Sequence, residues 1–123
     1  MITSTILIVD DDPMIRRTAK LMLERKGFDV LEADSGETAC DIFTSSPAPV
    51  DLVILDLSMP GMSGEETLGA LRKLDGQVKV IIASGYESDL LNQSGEAPDG
   101  YLRKPFQMAE LYAAVDQQLG CQS

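Results

Sequence analysis

The chain of 123 residues contains no histidine, and this absence removes several kinds of active site. Serine and cysteine nucleophiles are commonly activated by a histidine base, and many zinc sites hold the metal through imidazole nitrogens. Neither arrangement can be built from this sequence. Any chemistry must therefore come from carboxylates, hydroxyl groups, lysine and a hard metal ion bound by oxygen.

Cysteine and long apolar stretches are also scarce. The two cysteines, Cys40 and Cys121, form neither a disulfide framework nor a CxxC pair, and we expect a half-buried helix residue and a tail residue. No apolar run approaches the ~20 residues of a transmembrane helix. The first residues lack the basic segment and apolar core of a secretory signal. We therefore expect a cytoplasmic protein with no membrane insertion.

Positive charge is the third shortage. The chain has 10 basic and 20 acidic residues and a net charge of −10. Direct binding of nucleic acid is disfavoured, because phosphate contacts need a basic surface. The adjacent basic residues form only isolated pairs, namely Arg16-Arg17, Arg25-Lys26, Arg72-Lys73 and Arg103-Lys104.

Strand and helix patterns alternate along the whole chain. Apolar runs at residues 6–9, 50–55 and 78–83, with Asp51 as an interruption, predict buried strands, and residues 28–33 and 100–102 predict two more. Helical patterns follow each strand, with Asp12-Pro13 and the pair Ser63 and Glu66 as N-terminal caps. Apolar runs on both strand faces are typical of a parallel sheet covered by helices on two sides. The order predicts a (βα)5 α/β fold, with residues 1–123 as a single domain.

Polar side chains follow the predicted strands where the strands end. These residues are Asp10-Asp11-Asp12, Asp34, Asp56, Ser84-Gly85 and Lys104-Pro105. The carboxyl ends of parallel strands meet at one edge of the sheet, which is where α/β proteins form their sites. Converging carboxylates suit Mg²⁺, and a carboxylate beside the metal can attack phosphorus. A hydroxyl and an ammonium group complete the charge neutralisation that phosphoryl transfer requires.

Each of these residues also has a simpler structural interpretation. Asp12 fits an N-cap, Asp10 and Asp11 could be solvated loop acids, Asp56 could be a turn residue, and Lys104 could be a surface charge. The coincidence of all of them at the strand ends favours one site.

Four segments resemble the signatures of the response-regulator receiver family. They are residues 6–12 (ILIVDDD), 51–64 (DLVILDLSMPGMSG), 82–85 (IASG) and 101–106 (YLRKPF). The resemblance covers nearly the whole chain. It implies a flavodoxin-like three-layer sandwich with strand order 2-1-3-4-5. It also implies a receiver domain of a two-component phosphorelay, which catalyses only its own phosphorylation and dephosphorylation and is otherwise not an enzyme.

The resemblance implies that Asp56 accepts the phosphoryl group and that Mg²⁺, or Mn²⁺ in its place, binds beside it. Asp11 would bind the metal directly, and Ser58 would bind it through its backbone carbonyl. Asp10 would bind the metal through water or help to position it.

The resemblance also assigns roles around the phosphoryl group. Ser84 would hydrogen-bond a phosphoryl oxygen, Gly85 would leave room for the incoming group, and Lys104 would pair with it. A cis bond to Pro105 would hold that lysine, and Tyr101 would turn inward when Ser84 moves.

The implied partner is a histidine kinase or a phosphotransfer protein, because a chain without histidine must receive its phosphoryl group from another protein or a small phosphodonor. The oligomeric state is open, and so is the choice between a stand-alone regulator and a piece of a hybrid kinase or longer regulator. Residues 88–99 are rich in glycine, proline and polar residues, which predicts a shortened fourth helix. Tyr86 is bulky and is expected to restrict water near the phosphoryl group.

Two other functions remain as alternatives. The D-x-D spacing of Asp10 and Asp12 after an apolar run resembles the opening motif of haloacid-dehalogenase-like phosphatases, although no cap domain or later acidic pair accompanies it. The other alternative is a flavodoxin-like binding module or a degenerate receiver that only docks partners.

Overall fold

The computed structural model describes residues 4–57, 61, 63–85 and 98–120. Four of the sequence-based predictions concern residues outside these ranges and stay predictions: the roles of Ser58 and Tyr86, the shortened fourth helix, and the tail position of Cys121.

Five parallel strands form one sheet in the order β2-β1-β3-β4-β5. The strands are β1 (Thr5–Val9), β2 (Asp29–Ala33), β3 (Leu52–Asp56), β4 (Lys79–Ser84) and β5 (Gly100–Arg103). The helices, numbered here in chain order among the described residues, are α1 (Pro13–Arg25), α2 (Gly36–Ser45), α3 (Gly64–Leu74) and α4 (Met108–Leu119). The predicted flavodoxin-like topology and strand order are confirmed.

Two apolar cores lie on opposite faces of the sheet because alternate strand residues point in opposite directions. Leu7 and Val9 of β1 pack into the core beneath α2 and α3, while Ile6 and Ile8 pack into the core beneath α1 and α4. The molecule is therefore a three-layer sandwich. None of the described helices combines the length and the apolar character that a membrane crossing requires.

The helix starts follow the predicted caps. The Asp12 carboxylate accepts a hydrogen bond from the Met14 amide at 2.9 Å, and Pro13 occupies the first turn. Ser63 and Glu66 form the predicted capping box, with hydrogen bonds of 3.0 and 3.1 Å. Cys40 lies half-buried on α2, where burial raises the pKa of its thiol, assisted by the charges of Asp41 and Glu37.

Two strands end one residue later than the apolar runs predict. β3 continues through Asp56 and β4 through Ser84, because Asp56 pairs with Ala83 and Ser84 pairs with Arg103 in the parallel ladder. Both polar residues therefore sit on strand backbone instead of in the following loops. Hydrogen bonding between neighbouring strands fixes their positions.

Candidate functional site

The ends of β1 and β3 bring carboxylates together. Asp10, Asp11 and Asp56 each offer an oxygen, and these oxygens lie within 4.8 Å of one another. Asp10 and Asp56 are buried, whereas Asp11 is exposed. They line an open pocket of about 320 Å³ whose wall also includes Asp12, Ile15, Ser84, Gly85 and Lys104.

Lys104 is the cation of this pocket. Its Nζ donates to Asp10 Oδ2 at 2.8 Å and lies 3.2 Å from Asp56 Oδ1. Burial by itself lowers the pKa of Lys104, but the hydrogen bond to Asp10 and the charges of Asp10 and Asp56 outweigh burial and raise the pKa above its ordinary value. The Lys104–Pro105 peptide bond is cis. The ammonium group therefore stays charged between two buried carboxylates.

The pocket fits a hard divalent cation. Three carboxylates converge on it, and a single lysine offsets only part of their negative charge. Oxygen ligands of this kind are those that Mg²⁺ prefers, with water completing its octahedral shell. Both oxygens of Asp10 already accept hydrogen bonds, from Lys104 Nζ and from the Asp12 amide at 2.9 Å. Asp11 makes no hydrogen bond or ion pair to another described side chain, so its carboxylate faces solvent at the pocket mouth.

The remaining predicted residues lie at the ends of β4 and β5. Ser84 is buried, and its carbonyl oxygen accepts from the Lys104 amide at 2.9 Å, which ties the two strand ends together. The space around the Cα of Gly85 is open, with no heavy atom within 4 Å of where a Cβ would stand. The Tyr101 side chain is half-exposed on β5.

Asp34 does not join the cluster. It follows β2, which is the edge strand, and it lines a separate cleft with Arg17 and Thr38. Asp12 reaches the pocket wall, but its carboxylate is engaged as the cap of α1. The N-cap interpretation of Asp12 is confirmed.

Two features beside the site have no counterpart among the predicted residues. Arg16 donates from Nη1 to the Asp10 carbonyl oxygen at 2.8 Å and from Nε to Glu32 at 3.1 Å, although the sequence indicated only an isolated basic pair. The signal available was the placement of Arg16 on the first turn of α1, next to β2.

The second missed feature is an apolar groove of about 470 Å³ between α1 and the residues that follow β5. Ile15 and Lys104 line both this groove and the acidic pocket. The other lining residues are Met14, Thr18, Ala19, Met22, Pro105 and Phe106.

Comparison with known proteins gives one consistent family. Residues 6–116 match the response regulator receiver domain. The chain is 35% identical over 119 residues to the sensor kinase CckA of Brucella abortus, covering 95% of this chain and 13% of that protein. It is 36% identical over 118 residues to the nitrate/nitrite response regulator NarL of Escherichia coli K12, covering 93% of this chain and 54% of NarL. The chain thus spans about half or less of the length of these relatives.

Solved structures agree with these relatives. The response regulator TrrA of Thermotoga maritima, in complex with Mg²⁺-BeF, is 38% identical with a TM-score of 0.86, and the alignment covers 94% of this chain and 99% of TrrA. The receiver domain of the hybrid histidine kinase CckA is 34% identical with a TM-score of 0.80, covering 94% of this chain and 99% of that domain. The acidic pocket fits the phosphoacceptor site of such domains, and the chain belongs to the response regulator receiver domain family.

Proposed function

We propose that this chain accepts a phosphoryl group on the Asp56 carboxylate and thereby switches the state of a two-component pathway. The observation that carries the proposal is the position of Asp56, which is buried at the end of β3, within 4.8 Å of two further carboxylates and 3.2 Å from the Lys104 ammonium. Asp10 shares this cluster and this cation, so the choice of Asp56 rests in addition on the resemblance of residues 51–64 to the receiver signature.

The reaction is an exchange at phosphorus. An Asp56 carboxylate oxygen forms the new O–P bond, while the N–P bond of a phosphohistidine breaks and its electron pair returns to the imidazole of the donor. Lys104 neutralises negative charge on the transferred group, and the Ser84 hydroxyl donates to one of its oxygens. Gly85 leaves room for the group to approach. Mg²⁺ bound by Asp10, Asp11, Asp56 and the Ser58 carbonyl would supply the remaining charge neutralisation, and Mn²⁺ is the proposed substitute.

The proposed catalysis is limited to the phosphoryl group on Asp56. The chain would promote its own phosphorylation and dephosphorylation and turn over no other substrate. The phosphatase alternative needs Asp12 as a free acid-base group, and the engagement of that carboxylate with the Met14 amide argues against it. We further propose one receiver domain within residues 1–123, acting in the cytoplasm without contacting nucleic acid.

Incubation with acetyl phosphate and Mg²⁺, followed by intact-mass measurement, tests the proposal. We expect a labile phosphoryl adduct that is absent in Asp56→Asn and present in Asp34→Asn, which removes an equivalent strand-end carboxylate outside the pocket. Catalytic phosphate release that depends on Asp10 would favour the phosphatase. Neither adduct nor release would leave a docking module.

We also propose that a phosphohistidine protein, a histidine kinase or a phosphotransfer protein, docks in the apolar groove. The support is continuity, because Ile15 and Lys104 line both the groove and the acidic pocket, so an apolar surface seated there would lie beside Asp56. Met14 is an apolar lining residue with three-quarters of its surface exposed.

Substitution of Met14 separates docking from chemistry. We expect Met14→Asp to slow transfer from a phosphohistidine protein about tenfold, as loss of an apolar interface contact allows, while phosphorylation by acetyl phosphate stays near wild type. Leu74→Asp is the matched control, because Leu74 is exposed on α3, which packs on the other face of the sheet. Equal slowing with both donors would contradict the docking proposal.

Strands β4 and β5 carry the two residues of a proposed conformational switch, Ser84 and Tyr101. We propose that phosphorylation draws Ser84 towards Asp56 and that Tyr101, half-exposed on the neighbouring strand, turns inward to follow it. Amide chemical shifts with a beryllofluoride mimic test this switch. We expect changes at Tyr101 and in β5. Changes confined to the loops after Asp10 and Asp56 would contradict it.

A further inference from the structure

Asp10 is held through all four of its polar atoms. Its amide donates to the Ala33 carbonyl oxygen at 3.1 Å, and its two carboxylate oxygens accept from the Asp12 amide and from Lys104 Nζ. The remaining polar atom is the carbonyl oxygen, and it accepts the 2.8 Å hydrogen bond from Arg16 Nη1. A side chain of α1 thus completes the restraint of the turn that carries the acidic residues.

Arg16 is itself held in place. Its Nε donates to Glu32 Oε1 at 3.1 Å, and the second oxygen of Glu32 lies 3.4 Å from Lys20 Nζ. Glu32 is on β2, where it pairs with Ile8 of β1. The guanidinium is planar, so anchoring Nε on Glu32 fixes the direction in which Nη1 points. Glu32 therefore aims Arg16 at the Asp10 carbonyl.

That carbonyl belongs to the peptide unit that leads into Asp11. The unit is planar and includes the Cα atoms of both residues, so a hydrogen bond that holds the Asp10 oxygen also restrains the Asp11 nitrogen and the Asp11 Cα from which the side chain departs. Asp11 is exposed and makes no side-chain hydrogen bond within the described part of the chain. The backbone at Asp11 is therefore the part of the residue through which the described structure can restrain its carboxylate.

We propose that Arg16, oriented by Glu32, is a positioning residue that sets the Asp10–Asp11 peptide plane and so places the Asp11 carboxylate for a divalent cation. The inference rests on the proposed function, which needs Mg²⁺ at this pocket. It adds to that function a pair of residues outside the pocket on which metal affinity depends.

A positioning role for Arg16 and simple electrostatics predict opposite changes in Mg²⁺ affinity when Arg16 is removed. Arg16 carries a positive charge near the acidic cluster, so removing that charge should by itself strengthen the binding of Mg²⁺. A positioning role predicts weaker binding, because the Asp11 carboxylate loses its preset direction. Loss of a residue that supports a metal ligand typically weakens metal affinity about 10-fold or more.

Calorimetric titration of Mg²⁺ into the full chain tests the sign. We expect Arg16→Ala to bind Mg²⁺ about 10-fold more weakly than wild type. Arg17→Ala is the matched control, because it removes the same charge from the next residue of α1, which is exposed and lines the same cleft beside Asp34 as Arg16 does. It should bind Mg²⁺ as tightly as wild type or slightly more tightly.

Two substitutions of Glu32 provide a second comparison, which tests the proposal even if Arg16→Ala folds poorly. Glu32→Gln and Glu32→Ala remove the same negative charge, but only glutamine keeps an oxygen that can accept from Arg16 Nε. We expect Glu32→Gln to stay within about twofold of wild type and Glu32→Ala to approach Arg16→Ala. In the absence of metal, the amide chemical shifts of Asp11 and Asp12 should differ from wild type in Glu32→Ala and match wild type in Glu32→Gln.

The outcomes separate the inference from the function on which it rests. Tight Mg²⁺ binding by wild type, with Arg16→Ala equal to Arg17→Ala and Glu32→Ala equal to Glu32→Gln, would overturn the positioning role alone. Absence of Mg²⁺ binding by wild type would overturn both. Weakening confined to Arg16→Ala and Glu32→Ala supports the proposal.

Discussion

At the scale of single residues, Lys104 provides the positive charge that stabilises the acidic pocket when no metal is bound. It contacts two carboxylates that are buried, and removing one member of such a group leaves charge with no compensation. The side chain of Lys104 is partly exposed, so the effect is smaller than for a fully enclosed ion pair. The stability of the fold and the charge state of the site are therefore coupled through this residue.

Replacing the Lys104 ammonium by an apolar side chain of similar length should show that the stability of the fold depends on the charge of the site. We expect Lys104→Met to lower the free energy of unfolding of the metal-free protein by about 2 kcal/mol at neutral pH. Added Mg²⁺ should restore more stability in this variant than in wild type, because the cation takes over the missing charge. Lys73→Met, at an exposed site on α3, controls for the substitution itself. Equal unfolding midpoints in urea for the two variants would contradict the expectation.

The pH dependence of the same pair follows from the raised pKa of Lys104. The folded pKa lies above the ordinary value of 10.5, so the stabilisation from the ammonium is fully present below about pH 10.5 and is lost as pH rises through the folded pKa. We expect the stability difference between wild type and Lys104→Met to be constant from neutral pH to about pH 10 and to shrink above it. If the stability difference between the two proteins already declined near neutral pH, the pKa of Lys104 would be lowered and not raised, and the expectation would be wrong.

Asp11 should behave in the opposite way, because removing its charge relieves repulsion with the neighbouring carboxylates. We expect Asp11→Asn to raise the metal-free stability by about 0.5–1 kcal/mol, a modest effect because the residue is exposed. The same variant should lose most of its response to Mg²⁺. Unfolding curves with and without Mg²⁺ measure both effects, and a destabilised Asp11→Asn would contradict the repulsion argument.

At the scale of elements, the first residue of α3 lies unusually close to the end of β3. A Cβ on Gly64 would stand 2.6 Å from the Leu57 Cα and 2.9 Å from the Asp56 carbonyl oxygen. The Gly64 amide also donates to the Leu57 carbonyl oxygen at 3.1 Å. The helix start thus abuts the backbone of Asp56, and only glycine permits the approach.

A methyl group at Gly64 should push these two elements apart. We expect Gly64→Ala to destabilise the protein by about 1–3 kcal/mol through overpacking and to slow phosphorylation of Asp56 by acetyl phosphate. Gly69→Ala is the control in the same helix, because nothing lies within 4 Å of its Cβ position. That variant should gain about 0.5–1 kcal/mol from helix propensity. Thermal unfolding of the pair should therefore shift in opposite directions.

Local signals in the sequence predicted most of the fold. Apolar runs predicted the strands, and caps such as Asp12 and Ser63 predicted where helices begin, because these effects act between residues close in the chain. The polar strand ends predicted which residues meet in the pocket. The contact of Arg16 with the Asp10 carbonyl was not predicted, because it depends on the reach of a side chain and only the position of Arg16 on the first turn of α1 pointed to it.

At the scale of the whole molecule, the carboxylates of the acidic site are part of a large net charge of −10. A ligand that binds only the folded state stabilises it by RT ln(1 + [L]/Kd). We expect Mg²⁺ at about ten times its Kd to stabilise the protein by ~1.4 kcal/mol, or roughly 4–7 °C in Tm for a chain of this size. Monovalent salt at matched ionic strength is the control for screening. If that salt gave the same shift, the acidic cluster would be a solvated loop.

The hydrogen bond between Lys104 and Asp10 joins residues 94 positions apart in the chain. A growing polypeptide on the ribosome presents Asp10 and Asp56 long before it presents Lys104. Until β5 is synthesised and added to the sheet, the two carboxylates have no cation between them, and the pocket cannot assume its mature charge. The complete set of charges in the pocket thus assembles only after β5 has been synthesised and paired with β4.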